Sequence, residues 1–192
     1  MAGSLVLFNL DEAPIPLDNL FFALLPDAEA AEKMASLAKH KCREHGLKGK
    51  PLLTSRFHVT LLRLGQFAGL PTHLIETATS VASEIKFPPF RIEFDCASSF
   101  GKRGDLPFVL GGGEGVEGVS AFQQILRVEM ARAGLGIKSA FTPHVTLLYD
   151  SCCVPKQNVD PVGWKVRDFV LVRSLVGRTK HIILDRWPLI AE

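Results

Sequence analysis

Two pairs of residues in this sequence are suited to acid–base chemistry. The pentapeptide HVTLL occurs at residues 58–62 and again, 86 positions later, at residues 144–148. Each copy carries a histidine, whose side chain titrates near neutral pH, and a threonine hydroxyl two residues further on. A duplicated structural element explains an identical repeat that includes histidine better than chance does.

The spacing within each copy predicts which side chains act together. On a β-strand alternate side chains share a face, so His58 and Thr60 point the same way, about 6.6 Å apart along the strand. The same holds for the second copy. Strict alternation directs the residue five positions after each histidine, Arg63 or Tyr149, to the opposite face.

Two imidazoles and two hydroxyls that line one cleft suit phosphodiester chemistry. A neutral imidazole can take a proton from the attacking oxygen, while a protonated one donates to the departing oxygen. Thr60 and Thr146 can bind the non-bridging oxygens as negative charge develops there. We therefore predict His58 and His144 as the catalytic pair, without assigning the acid and the base.

A structural role for the histidines is the alternative to this prediction. One histidine in an apolar strand is more often a packed core residue than a catalytic one. Two identical His-x-Thr strands favour function, because both would otherwise have to be buried by coincidence. Of the other histidines, His181 lies in a predicted strand and could reach the same cleft or simply pack.

The surrounding pattern predicts the elements that position these residues. Besides the two motif strands, predicted strands cover residues 20–25, 90–96, 106–110, 168–172 and 180–184, and predicted helices run from the cap Asp27 to Gly46, over residues 71–85 and over residues 119–133. Two rounds of strand, helix, motif strand and further strand predict an α+β fold of two related lobes. We expect one two-lobed domain over residues 19–192, preceded by an N-terminal extension, residues 1–18.

Composition excludes several classes of protein. The chain has 192 residues, 47% of them hydrophobic, enough to bury a core, and its net charge of +2 is too small for a protein that coats nucleic acid. Its four cysteines form no C-x-x-C pair and have no histidine at zinc-ligand spacing, so we expect no structural metal site, and the predicted acid–base chemistry needs no metal or other cofactor. Since neither a signal peptide nor an 18-residue apolar run is present, we expect a cytoplasmic protein that does not bind membranes. We also expect it to be a monomer.

The paired motifs and their flanks resemble the two-histidine (2H) phosphoesterases, which carry two His-x-Thr-x motifs, here HVTL at residues 58–61 and 144–147. Within that superfamily the chain is most similar to the branch called RNA 2',3'-cyclic phosphodiesterase or 2'-5' RNA ligase. LFFALLP from Leu20 looks like the opening strand of that branch, and LVRSLVGRTKHIILDRWPL from Leu171 looks like its closing hairpin. The resemblance covers about residues 19–190.

The resemblance implies a bilobal fold and a reaction. The implied fold has two pseudo-symmetric antiparallel sheets around a central cleft, with helices packed outside. The implied reaction is metal-independent hydrolysis of a 2',3'-cyclic phosphate, at an RNA end or on a nucleotide, to a 2'-phosphomonoester. Joining of RNA through 2'-5' bonds is implied as a weaker side activity.

Two positions depart from the pattern of the branch. An arginine commonly stands five residues after the second histidine, where this chain has Tyr149, and a phenylalanine often stands at the matching place in the first motif, where this chain has Arg63. Because alternation directs Arg63 away from His58, we expect no compensation from it. The loss of the usual arginine leaves open a nucleotide or RNA-end binding module without turnover. An enzyme for a small cyclic phosphate, such as ADP-ribose 1'',2''-cyclic phosphate, also remains open.

Further substrate contacts are predicted by position. Arg56 and Thr142 precede the two histidines by two residues and so share their faces, which makes Arg56 a candidate phosphate contact or, equally, a solvated rim charge. The resemblance places a base-stacking aromatic at Phe100, with Lys102 or Arg103 near an RNA backbone. Core packing is an equal alternative for Phe100.

Overall fold

The computed structural model describes residues 17–101, 104–135, 140–175, 177 and 180–191. Its strands are β1 (Leu17–Leu24), β2 (Val59–Ala68), β3 (Phe90–Ser99), β4 (Leu106–Gly111), β5 (His144–Asp150), β6 (Gln157–Val166), β7 (Asp168–Leu175) and β8 (Lys180–Pro188), and its helices are α1 (Ala28–His45), α2 (Thr72–Glu84) and α3 (Glu117–Arg132). Residues 1–16 of the predicted extension lie outside the described residues, and Leu17 and Asp18 begin β1. None of the described helices is long and apolar enough to span a bilayer.

The eight strands form two four-stranded halves that meet at the motif strands. Their order is β6-β3-β4-β5-β2-β1-β7-β8, and every pairing is antiparallel. A single residue pair, Val59 opposite Val145, joins β2 to β5. The predicted α+β fold with two antiparallel halves is therefore confirmed; the halves are joined into one eight-stranded sheet, and the two HVTLL segments lie at their junction.

The helices form as their end signals predict, and all three cover the same face of the strands. Helix α1 is capped by Asp27, whose Oδ1 accepts a hydrogen bond from Ala30 N at 2.8 Å, and it ends at Gly46 with a φ of 64°. Buried residues of the helices share one apolar core with Phe22 of β1 and with Val59 and Val145. The opposite face, which carries Phe21 and Ala23 of β1, holds only a small apolar cluster. We call it the open face or cleft face, because none of the three described helices covers it.

Each motif strand contains a β-bulge at the same place, and this corrects the prediction from strict alternation. Thr60 pairs with Ala23 and Leu62 with Phe22, so Leu61 has no partner, and Leu147 is likewise unpaired in β5. In both copies the two consecutive leucines pack into the helix-covered core. The residue that follows them therefore returns to the open face.

The predicted orientation of Arg63 and Tyr149 was consequently wrong. Arg63 lies opposite Phe21, which belongs to the open face, and the equivalent bulge turns Tyr149 to that face as well. Both side chains are exposed. Alternation failed here because a bulge adds one residue to a strand, and sequence periodicity does not record where strand pairing slips.

One strand was not predicted. Strand β6, QNVDPVGWKV, pairs only with β3 at the edge of the sheet. It contains Pro161, which a central strand does not tolerate but an edge strand does, because an edge position needs no ladder donor. The glycine-rich segment GGGEGVEG, residues 111–118, packs against β3, because a Cβ on Gly112 or Gly115 would lie 2.7 Å from Glu93 O.

The loop after α1 attaches the first motif to the second. Asp150 Oδ2 accepts hydrogen bonds from Lys48 N and Gly49 N, both at 2.6 Å, and Leu52 N donates to Leu147 O at 2.8 Å. Gly49 is required because a Cβ there would lie 1.9 Å from Tyr149 O. The chain is thus held against β5 shortly before it reaches the first histidine.

Candidate active site

The junction of the two halves brings the four motif side chains together. Val59 pairs with Val145 in antiparallel register, so the residues that flank this pair, His58, Thr60, His144 and Thr146, face the same open side. In that register each histidine lies across the junction from the threonine of the other copy. All four side chains are partly exposed, which leaves them accessible to a ligand.

Backbone carbonyls hold both imidazoles in the same tautomer. His58 Nδ1 lies 2.7 Å from Arg56 O, and His144 Nδ1 lies 2.7 Å from Thr142 O. A carbonyl oxygen can only accept, so each Nδ1 carries hydrogen and donates. Each Nε2 is then the atom that exchanges a proton, as a base when the ring is neutral and as an acid when it is charged.

Arg56 and Thr142, two positions before each histidine, therefore have a role that strand alternation did not predict. Their carbonyls orient the imidazoles, whichever way their own side chains point. The Thr142 side chain is exposed, and Arg56 lies half-buried in a 3₁₀ turn (Thr54–Arg56) with its Nε without a hydrogen-bond partner among the described residues. A guanidinium N–H without a partner, near His58 and His181, is suited to donate a hydrogen bond to an anion.

Aromatic rings form the walls of the site. Phe21 stacks on His58 with ring centroids 5.0 Å apart, and His181 meets the His58 ring edge-on at 5.1 Å. Phe100 lies 4.9 Å from the His144 ring in an edge-on arrangement. The structure thus places Phe100 beside the second motif, whereas Lys102 and Arg103 lie outside the described residues.

Sequence reasoning missed Phe21 and left His181 undecided. Phe21 lay in a continuous apolar run, LFFALL, in which nothing distinguishes the residue that faces the cleft from its neighbours. His181 reaches the cleft from β8, which is separated from β2 by β1 and β7. Only strand order could show that this histidine and the first motif meet.

The surroundings of His58 favour its neutral form. Loss of contact with water lowers the pKa of His58, and the positive charge of Arg56 and the neighbouring His144 lower it further, against the opposing hydrogen bond to the Arg56 carbonyl. Burial, His58 and Arg56 also lower the pKa of His181, from 6.5 to about 4. Both rings are therefore neutral at pH 7, ready to accept a proton and not to donate one.

The lowered pKa of His181 predicts a loss of stability in acid. A histidine whose pKa is lower in the folded state contributes its full stability above pH 6.5, loses it as the pH falls toward 4, and adds no further change below that. We expect the free energy of unfolding to fall by roughly 1–2 kcal/mol over this range from His181, after solvent screening of a partly exposed ring. Urea titrations at about pH 7 and about pH 4.5 measure this change.

A matched pair of variants tests the assignment of that loss. His181→Gln should reduce the difference in unfolding free energy between the two pH values. His73→Gln, at a fully exposed histidine on α2, should leave it unchanged. An equal pH dependence in wild type and His181→Gln would contradict the role given to His181.

The part of the chain that the structure describes offers no cluster of metal ligands. It contains no group of three or more histidine, cysteine, aspartate or glutamate side chains that could hold a metal ion. The chemical groups that the site offers are two imidazoles with free Nε2 atoms, two hydroxyls, a guanidinium and aromatic rings. Together these groups can transfer protons and bind an anion that carries a nucleobase.

Solved structures resemble this fold over nearly the whole chain. E. coli LigT in its apo form is 28% identical, with a TM-score of 0.71 over 91% of this chain and 99% of its own. A structure described as a phosphoesterase is 26% identical, with a TM-score of 0.71 over 90% of this chain and 99% of its own. The Thermus thermophilus protein TT0787, at 22% identity and a TM-score of 0.73 over 91% and 99% of the two chains, shares the fold.

Sequence comparison gives the family. No match to this chain was found among curated proteins. The model of the 2'-5' RNA ligase superfamily matches residues 25–178, a range that includes both His-x-Thr motifs and most of the chain. The chain therefore belongs to the 2'-5' RNA ligase superfamily of 2H phosphoesterases.

Proposed function

We propose that the protein is a metal-independent RNA 2',3'-cyclic phosphodiesterase that opens a 2',3'-cyclic phosphate to a 2'-phosphomonoester. The observation that carries the proposal is the junction of β2 and β5, where two His–Thr pairs face one side and both imidazoles present Nε2. Hydrolysis of a cyclic phosphate needs one proton removed from water and one delivered to the leaving oxygen. Two imidazoles in opposite protonation states meet that need.

The lowered pKa of His58 supports an assignment of roles that sequence alone left open. His58, neutral at pH 7, takes a proton from water at Nε2 as the water oxygen attacks phosphorus. The bond from phosphorus to the 3'-oxygen breaks, and His144 donates its Nε2 proton to that oxygen. The phosphate remains on the 2'-oxygen, and the net reaction adds one water.

The threonines and Arg56 stabilise charge on the reacting phosphate. Thr60 and Thr146 donate hydroxyl hydrogen bonds to the non-bridging oxygens, and the Arg56 guanidinium adds positive charge from the turn before His58. Phe100, beside His144, supplies an apolar surface for the base of the substrate. With a 5'-hydroxyl of RNA in place of the attacking water, the same groups would join that oxygen to phosphorus as the bond to the 3'-oxygen breaks, and so form a 2'-5' bond as a slower activity.

Ligands of a relative agree with this class of substrate. Structures of E. coli LigT, 26% identical to this chain, contain 3'-AMP in one case and phosphate in another. A ribose-linked monophosphate is what the proposed site would hold after ring opening. We propose the same ligand chemistry here, with RNA ends or nucleotides as the partners of a monomeric enzyme.

Hydrolysis of adenosine 2',3'-cyclic phosphate in EDTA tests the proposal. We expect 2'-AMP as the product, with full activity without added metal, because protein side chains supply both proton transfers. Chromatography that separates 2'-AMP from 3'-AMP gives the readout. Formation of 3'-AMP, or activity that appears only with a divalent metal, would contradict the mechanism.

One observation favours a binding module as the second candidate. Tyr149 lies on the cleft face at the position where the related branch commonly carries a cation. Calorimetry separates the two functions, since 2'-AMP binding without turnover of RNA, mononucleotide or ADP-ribose cyclic phosphates would support the module. Turnover of any of these substrates supports the enzyme and identifies its substrate size.

A further inference from the structure

Arg63 and Tyr149 occupy equivalent positions in the two halves, and their chemistry differs. Each follows its motif histidine by five residues, and each is turned to the cleft face by a bulge at the first leucine of HVTLL. The cleft therefore has a cation on its β2 side and a neutral phenol on its β5 side. Because of this asymmetry, a bound anion is attracted more strongly to the β2 side than to the β5 side.

Arg63 lies near the proposed catalytic histidines, but further along β2 than the residues of the first motif. Its cross-strand partner is Phe21, and the Phe21 ring stacks on His58 at 5.0 Å. Thr60 is the preceding cleft-facing residue on β2, so Arg63 stands roughly two strand residues, about 6–7 Å, further along. A phosphate held between the two histidines and two threonines is thus separated from Arg63 by one step of the strand.

The charge of Arg63 is not neutralised by its surroundings. Its Nη2 donates to Asn19 Oδ1 at 2.6 Å, a neutral partner, and no carboxylate of the described residues lies within ion-pair distance of it. Arg173, by contrast, is paired with Asp18 at 2.7 Å. The exposed Arg63 guanidinium keeps donors free for an anion.

A row of polar side chains continues from Arg63 across the same half. Gln66, Asn19, Ser174 and His181 are successive cross-strand partners on β2, β1, β7 and β8, so they share the cleft face. They offer amide, hydroxyl and imidazole groups and no negative charge. In the other half Tyr149 lies opposite Pro107, which has no donor.

We propose that Arg63 binds a second phosphate of the substrate, beyond the phosphate that reacts, so that the substrate backbone extends over the β2-β1-β7-β8 half. The inference rests on the proposed function for the position of the reacting phosphate. The second phosphate is either a 5'-phosphate of a mononucleotide or the internal phosphodiester of an RNA end. Arg63 determines the preference for such substrates without touching the reacting atoms.

Calorimetry with three product-like ligands tests this assignment. The ligands are 2'-AMP, adenosine 2',5'-bisphosphate, and an ApA dinucleotide with a terminal 2'-phosphate. Wild type should bind at least one of the two larger ligands about tenfold more tightly than 2'-AMP, because a charge-assisted contact to phosphate is added. Whichever larger ligand shows the gain identifies the source of the second phosphate.

Variants assign that gain to Arg63. Arg63→Gln should reduce the preference to about twofold or less while leaving the affinity for 2'-AMP unchanged, and Arg63→Lys should restore part of it. Arg127→Gln is the matched control, since Arg127 is a partly exposed arginine on α3 that also donates to a side-chain amide, Gln124 Oε1, at 3.0 Å. Tyr149→Phe controls for the equivalent position in the other half. Both controls should keep the wild-type preference.

Three outcomes would overturn the proposal. These are equal affinity of wild type for all three ligands, a preference that survives Arg63→Gln, and an equal loss of affinity for 2'-AMP and the larger ligands in that variant. Binding is measured without turnover, so failure of the enzyme to open cyclic phosphates would be seen separately. A ligand preference that depends on Arg63 supports the inference even in a protein without hydrolase activity.

Discussion

Glutamine in place of His58 or of His144 should lower kcat for opening of adenosine 2',3'-cyclic phosphate by about 10³-fold, because each variant loses one proton transfer. Glutamine is a suitable replacement since its amide N–H can still donate to the Arg56 or Thr142 carbonyl that holds the imidazole. Steady-state rates at pH 7 in EDTA measure the loss. His73→Gln, at the exposed histidine of α2, should keep wild-type activity.

The pH profiles of these variants distinguish the base from the acid. In wild type the rate should rise with pH as His58 loses its proton, on a limb that lies below pH 6.5 because the pKa of His58 is lowered. His58→Gln should lose that limb from its residual activity, whereas His144→Gln should keep it. Activity within tenfold of wild type in either variant would show that the replaced ring transfers no proton.

Valine in place of Thr60 or of Thr146 should produce the second largest effect, about a 10²-fold fall in kcat, because each variant removes one hydroxyl donor from the developing phosphate charge. Valine keeps the β-branched shape and the strand preference of threonine, so the sheet is preserved. Thr60→Ser and Thr146→Ser, which keep the hydroxyl, should stay within about tenfold of wild type. Single-turnover rates report the loss free of product release.

A threonine outside the site provides the control. Thr77 on α2 bonds its hydroxyl to the carbonyl of His73 within its own helix, and Thr77→Val should leave kcat unchanged. In the double variant of Thr60 and Thr146 the two losses should multiply if each hydroxyl meets a different oxygen. If both valine variants retained more than a third of wild-type kcat, the hydroxyls would have no part in stabilising the reacting phosphate.

Several features of the molecule could be predicted because they are local. Helix α1 follows from the Asp27 cap, the apolar spacing and Gly46, and the observed helix begins and ends beside those signals. The repeated HVTLL indicated a duplicated strand, and the two copies do lie at equivalent places in the two halves. Arg56 and Phe100, named from position and resemblance, lie next to the motif histidines.

Other features depend on pairing between distant segments. His181 enters the cleft only because β8 follows β7 and β1 in the sheet, and Phe21 faces the cleft only because of the register of β1 with β2. Strand β6 was not predicted because Pro161 and Gly163 are unfavourable in a central strand. A strand at the edge of the sheet tolerates them. None of these relations is encoded in the spacing of neighbouring residues.

Residue types and their spacing along the chain were enough to predict the reactive groups: two imidazoles, two hydroxyls and the strand alternation that pairs them within each motif. The surroundings of these groups depend on the three-dimensional fold. The carbonyls set the tautomer, burial and Arg56 lower the pKa of His58, and the bulges at Leu61 and Leu147 bring Arg63 and Tyr149 to the cleft. Side-chain type and periodicity are properties of a short segment, whereas register, burial and electrostatic environment arise only when remote strands pair.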